Sequence, residues 1–244
     1  MIEKQGMAAE ESIEFIAEGP VSGKAKQLVV LLHGLGFNAE HMLGLALAVR
    51  ERLPDALVVM PRGLERFSRG TGRPDNFFTL PVQLAAEAKP AFEQRQWFPI
   101  DGTWAEIQAN MERLAPRLNA FIDAQRDALG IEDENIALMG FSQGGGVALA
   151  TAFSRHSAIG CVVGHSTLVR PDKSFTAKPP TLFIYGTADE EFSAAKYEEI
   201  IQDLRDYLAE VDVGIVPGLS HRTSSASRML AADYIAHHLR NLNP

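Results

Sequence analysis

The sequence predicts an α/β protein, with a mostly parallel central sheet carrying helices on both faces. Two observations carry this. Short apolar runs rich in Val, Ile or Leu stop at Gly, Pro or His, which is the length and composition of buried strands. Longer stretches between them place apolar residues every three or four positions, and strands alternating with helices imply a sheet covered on both sides. The chain has 244 residues, 46% of them apolar and 22% charged, enough to bury a real core and too apolar for a mainly disordered chain.

The predicted strands are Leu28–Leu32, Ala56–Met60, Asn135–Met139, Ile159–Val163, Thr181–Tyr185 and Val213–Val216, with Ile13–Ala17 at one edge. One helix is marked by Leu114, Leu118, Phe121 and Ile122, with Gly130 just past its end. A second follows Gln143, a third covers about Ala194–Leu208, and a fourth about Ala226–Leu239. No repeat or linker breaks the pattern, so residues 1–244 read as one domain. The exception is 62–101, part of an aperiodic stretch from Pro61 to Asp101 with five prolines before Ile100; it reads as an inserted lid or substrate entrance.

Several functions are excluded at this level. Twenty-three basic against 31 acidic residues give a net charge of −8, no footprint for nucleic acid. One cysteine, Cys161, allows neither an internal disulfide framework nor a cysteine-built zinc cluster. Met1–Glu11 has no apolar segment of a secretory signal. The longest uncharged run, Asn135–Ser154, is broken by Gly140, Ser142, Gln143 and three consecutive glycines, so it reads as strand, turn and helix and not as a stable membrane insertion. A cytoplasmic protein is expected.

The sharpest chemical signal is Gly140-Phe141-Ser142-Gln143-Gly144. As a bare Gly-x-Ser-x-Gly pattern it recurs by chance, but here an apolar strand feeds it and a small-residue helix (Gly145, Gly146, Ala148, Ala150) leaves it. A serine in so tight a strand-to-helix turn needs flanking residues without side chains, and the helix N-terminus aims free N–H groups at a developing oxyanion. A serine hydroxyl is a poor nucleophile without a base, and the base needs an orienting carboxylate. Both are expected on loops after later strands. Asp189 follows the turn Gly186-Thr187-Ala188, with Glu190 and Glu191 as competing acids. His221 follows Pro217-Gly218-Leu219-Ser220 after the last strand. His237 and His238 lie on the closing helix, His41 and His156 read as helix surface, and His33 and His165 sit at strand ends near the same rim. The oxyanion donors are expected to be the backbone N–H groups of Leu35, in the turn His33-Gly34-Leu35-Gly36, and Gln143. No His or carboxylate cluster has metal-ligand spacing, and no cofactor is called for.

These stretches, together with Gly145, resemble the phospholipase/carboxylesterase family, close to acyl-protein thioesterases and bacterial carboxylesterases, over about Gln27 to Leu239. The resemblance implies an α/β-hydrolase fold and cofactor-free cleavage of small-molecule acyl esters or thioesters. Trp97-Phe98 looks like the family's Trp-Phe-Asp segment, with Pro99-Ile100 displacing the acid to Asp101; Phe37 stands where many relatives carry Asp, and Arg62–Glu93 looks longer than usual. Arg62, Arg66, Arg69 and Arg73, interleaved with Phe67 and followed by Phe77, Phe78 and Leu80, read either as a solvated basic loop or as a lid whose arginines meet an anionic substrate group. The candidate substrate contacts are Phe37, Arg69, Arg73, Phe77, Trp97 and His165. A hydrophobic entrance would also suit a homodimer contact. Two rivals remain. Gly34–Ala39 fits a relaxed dinucleotide-binding fingerprint, although the following strand ends in Met60-Pro61-Arg62 without the ribose-binding acid. The fold could also serve as a catalytically silent binding module.

Overall fold

A computed structural model describes residues 13–67, 93–172 and 175–240. Its centre is a seven-stranded sheet in the order β1-β3-β2-β6-β7-β8-β9. The strands are β1 (Phe15–Glu18), β2 (Gln27–Leu32), β3 (Ala56–Pro61), β6 (Ile136–Phe141), β7 (Cys161–His165), β8 (Thr181–Gly186) and β9 (Val211–Val216). Only β1 runs antiparallel, pairing with β3 at the edge; every other pair is parallel. Two short strands, β4 (Glu65–Arg66) and β5 (Arg95–Gln96), form a separate antiparallel pair.

Alternation along each strand feeds two cores. From β2, Leu28, Val30 and Leu32 join one cluster while Val29 and Leu31 join the other. The first is closed by α2 (Trp104–Leu129), α3 (Gln143–Phe153) and α4 (Ala194–Arg205), the second by α1 (Leu43–Arg52) and α5 (Ser225–Arg240). Both faces of β2, β3, β6, β7 and β8 are therefore dry, which is why their sequences read as unbroken apolar runs, whereas the edge strand β9 exposes Asp212 and Ile215.

The helix α2 begins well before the first residue of its sequence signature. Thr103 and Glu106 form a reciprocal capping box, the Glu106 carboxylate accepting the Thr103 N–H at 2.6 Å. The stripe Trp104, Ile107, Met111, Leu114 and Leu118 then faces the sheet, and Gly130 ends the helix in the left-handed region at φ 65°. The helix α1 has no counterpart in the sequence reading. Its Leu43, Leu45 and Leu47 alternate around the axis and Leu47 is exposed, so no apolar stripe announces it. The start of β7 lies two residues later than expected, because Ile159 and Gly160 form the approach to it.

The insertion 62–101 falls largely on residues 68–92, outside the described ones, so the expected lid has no structural account. Its two limbs are described. Phe67 N–H donates to Gln94 O at 2.8 Å, Arg66 pairs with Glu93, and Arg62 with Glu40. Both described arginines of the cluster are thus engaged in ion pairs at its base.

The sheet's carboxyl edge is held by a close backbone approach at Gly186, where a Cβ would lie 1.8 Å from Leu219 O. Gly186→Ala is expected to cost about 3 kcal/mol or more, a fall in Tm of roughly 6 °C or more. Gly130→Ala, with nothing within 4 Å of its Cβ, should cost about 1 kcal/mol through backbone strain alone. Thermal unfolding of the two variants checks the contrast; equal losses would refute the packing argument.

Candidate active site

Ser142 sits between β6 and α3 with φ 52° and ψ −121°, a conformation that side chains other than glycine rarely adopt. The flanking glycines are required by contact: a Cβ on Gly140 would lie 2.0 Å from Gly144 O, and one on Gly144 2.3 Å from His33 O. From this turn, the Ser142 hydroxyl and His221 Nε2 are 2.9 Å apart. His221 Nδ1 lies 3.1 Å from both carboxylate oxygens of Asp189. Both side chains are nearly buried, at 4% and 1% exposure. Residues 142, 189 and 221 are brought together because β6, β8 and β9 are parallel, so all three following loops emerge at the same edge.

Asp189 is firmly held. Its Oδ1 accepts N–H bonds from Glu191 at 3.0 Å and Phe192 at 3.1 Å, and its Oδ2 accepts the Tyr197 hydroxyl at 2.9 Å. Burial pushes the carboxyl up, but the adjoining His221 imidazole, the Phe192 N–H and the Tyr197 hydroxyl outweigh it and leave Asp189 below the usual carboxylate range. Glu190, the competing acid, accepts the His221 backbone N–H at 3.1 Å and so fixes the histidine loop instead. The imidazole lies between Phe141 and Phe192, with ring centroids 5.3 and 5.7 Å away.

The turn after β2 faces the elbow. Among the described residues, the backbone N–H groups of Leu35 and Gln143 donate to no backbone or side-chain acceptor. His33 orients the Leu35 peptide. Its Nε2 accepts the Gly63 N–H at 2.8 Å, so Nδ1 carries the proton and donates to Gly34 O at 2.8 Å. In a trans peptide the Leu35 N–H then points the opposite way. The Gln143 side chain is buried and clamps the limb of the insertion: its Oε1 accepts the Trp97 N–H at 3.0 Å and its Nε2 donates to Phe98 O at 2.7 Å.

A cavity of about 140 Å³ opens on Ser142 and His221. Its apolar wall is formed by Leu35, Ile100, Trp104, Ile107, Met111 and Phe192. The sequence reading of the entrance is corrected here. Trp97 is buried and bonds through Nε1 to His33 O at 2.8 Å, Phe37 packs on His41 and Phe141, and His165 lies behind the elbow, its carbonyl accepting the Ser142 N–H at 2.8 Å. None of the three lines the cavity. Arg69, Arg73 and Phe77 lie outside the described residues. The capping box at Thr103 and the continuous stripe from Trp104 to Leu118 were the legible signals for the missed wall on α2. The glycines after β2 form this turn, and a 3-10 turn, Ala39–Met42, then runs directly into α1.

Among the described residues, no three His, Cys, Asp or Glu side chains are grouped to hold a metal ion, and no helix is long and apolar enough to cross a membrane. Burial drives the imidazoles of His33 and His165 down to about 4 and about 3. Both stay neutral when folded while the unfolded chain takes up protons below about pH 6.5, so they stabilise fully above that pH and progressively less below it. Together they are expected to cost about 4 kcal/mol of stability at pH 5 relative to pH 7.5, roughly 2 kcal/mol each. Urea unfolding at the two pH values checks this; equal stability would contradict it.

Residues 81–239 match the profile of the phospholipase/carboxylesterase family. The esterase YpfH of Escherichia coli K12 is 25% identical over 224 residues, covering 91% of this chain and 86% of that protein. The crystal structure of esterase PE8 is similar with a TM-score of 0.77 and 26% identity, over 93% of this chain and 99% of its own. The Bacillus cereus carboxylesterase shares the fold with a TM-score of 0.68 at 20% identity, over 94% of this chain and 96% of its own. With well over half its length matched, the chain belongs to the phospholipase/carboxylesterase family.

Proposed function

We propose that this chain is a serine hydrolase that cleaves small carboxylic esters or thioesters through an acyl-enzyme intermediate on Ser142. The observation that carries this reading is the unbroken contact from the Ser142 hydroxyl through both ring nitrogens of His221 to Asp189. Family membership and the esterase names of its relatives support the substrate class.

In this reading His221 Nε2 takes the Ser142 proton as Oγ attacks the acyl carbonyl. Asp189 holds Nδ1–H, fixing the tautomer that leaves Nε2 bare, and stabilises the imidazolium that forms. The Leu35 and Gln143 N–H groups receive the oxyanion, each such donor being worth about 3 kcal/mol of transition-state stabilisation. His221 then protonates the departing alcohol or thiol, and water repeats the sequence to release the acid. The apolar wall on α2 suits the acyl chain.

Ser142→Ala and His221→Ala are each expected to lower kcat by a factor on the order of 10⁴ or more, and the double variant should be no worse than either, because the residues act as a unit. Steady-state hydrolysis of p-nitrophenyl acetate measures this. Fluorophosphonate labelling of the wild type, absent in Ser142→Ala, separates an active hydrolase from a silent binding module; an unlabelled wild type would favour the module. As the base must be unprotonated, kcat/KM should rise through about pH 6–8, and a flat profile with chemistry rate-limiting would count against the assignment.

A further inference from the structure

We propose that Tyr197 is a positioning residue for the acid of the site, holding Asp189 through a buried hydrogen bond and setting the pH range over which His221 works. The proposal rests on the triad reading above.

A carboxylate only accepts, so the Tyr197 hydroxyl donates to Asp189 Oδ2, at 2.9 Å. The same carboxylate oxygen faces His221 Nδ1, at 3.1 Å. In a dry interior such a bond is electrostatically stronger than it is in water.

The Tyr197 ring is 1% exposed and locked: it stacks on Tyr185 with centroids 4.2 Å apart and planes at 9°, and meets Phe192 edge-on at 5.9 Å. A phenol so held can aim its O–H at one carboxylate oxygen without losing further rotational freedom.

The sign of the effect follows. The hydroxyl draws charge from the oxygen that faces His221, and its positive end lies toward the imidazole. Both weaken the pull that keeps a proton on His221. The other titratable groups around the pair are Glu190 at the His221 backbone, Glu191 in the shared cavity, His165 behind the elbow, Arg222 next in the chain and Tyr185 on the far face of Tyr197. Replacing Tyr197 by Phe removes one oxygen and leaves all of them in place.

The test is the pH dependence of kcat/KM for p-nitrophenyl acetate in Tyr197→Phe, with thermal unfolding as the check that the variant is folded. In Tyr197→Phe the acidic limb should move to higher pH by about 0.5–1 unit and plateau kcat should fall roughly three- to tenfold, with KM unchanged. A limb that stays in place in the folded variant, with or without a loss of rate, overturns the proposal. The triad reading fails separately, if Ser142→Ala or Asp189→Asn keeps the wild-type rate.

Discussion

Everything at the carboxyl edge of the sheet depends on three backbones passing closer than side chains allow. Gly140 rests on the carbonyl of Gly144, Gly144 on the carbonyl of His33, and Gly186 on the carbonyl of Leu219. The first contact folds the chain back sharply enough to hold Ser142 at positive φ. The second presses the turn after β2 against the start of α3, bringing Leu35 and Gln143 to one wall. The third locks the loop bearing His221 onto the strand that ends near Asp189. Loss of conformational freedom at glycine is the entropic cost of these approaches, and what it secures is a distance of 2.9 Å between atoms 79 residues apart in the chain.

The electrostatics follow from the same arrangement. Asp189 is buried yet charged because four donors converge on it, two from its own loop, one from α4 and one from His221. Its neighbour Glu190 is spent on a backbone N–H, so two adjacent acids do different work by facing different partners. His33 and His165 are kept neutral by burial and act through geometry, one orienting the Leu35 peptide, the other holding the Ser142 N–H with its carbonyl.

The inner strands were legible because both of their faces are dry, so Leu28–Leu32 or Thr181–Tyr185 could be nothing else of that length. The residues of the site were legible because Gly140, Gly144 and Gly186 leave marks in the sequence wherever backbones nearly touch. The helix α1 was not, since its leucines surround the axis and its burial comes from α5, a partner far along the chain. The cavity wall was misread for a related reason. Aromatic residues near the elbow, such as Trp97, looked like substrate contacts, but Trp97 carries a buried N–H that found a carbonyl at His33 and so became part of the frame. Tyr197 is written into the sequence only as one apolar-face position of an amphipathic helix, and its hydroxyl has meaning only once α4 is docked beside Asp189.

The clamp formed by Gln143 has a consequence for how this protein can diversify. Between Phe67 and Glu93 the chain leaves and re-enters through a small ladder that is stitched to Gly36 and Phe37, to Gln143 and, through Gly63, to His33. Both limbs are thus fixed by hydrogen bonds to the frame that carries Ser142 and the Leu35 turn. Sequence of different length and chemistry can be grafted between these ends as interchangeable cassettes without removing any of these bonds, and new substrate preferences can be sampled there.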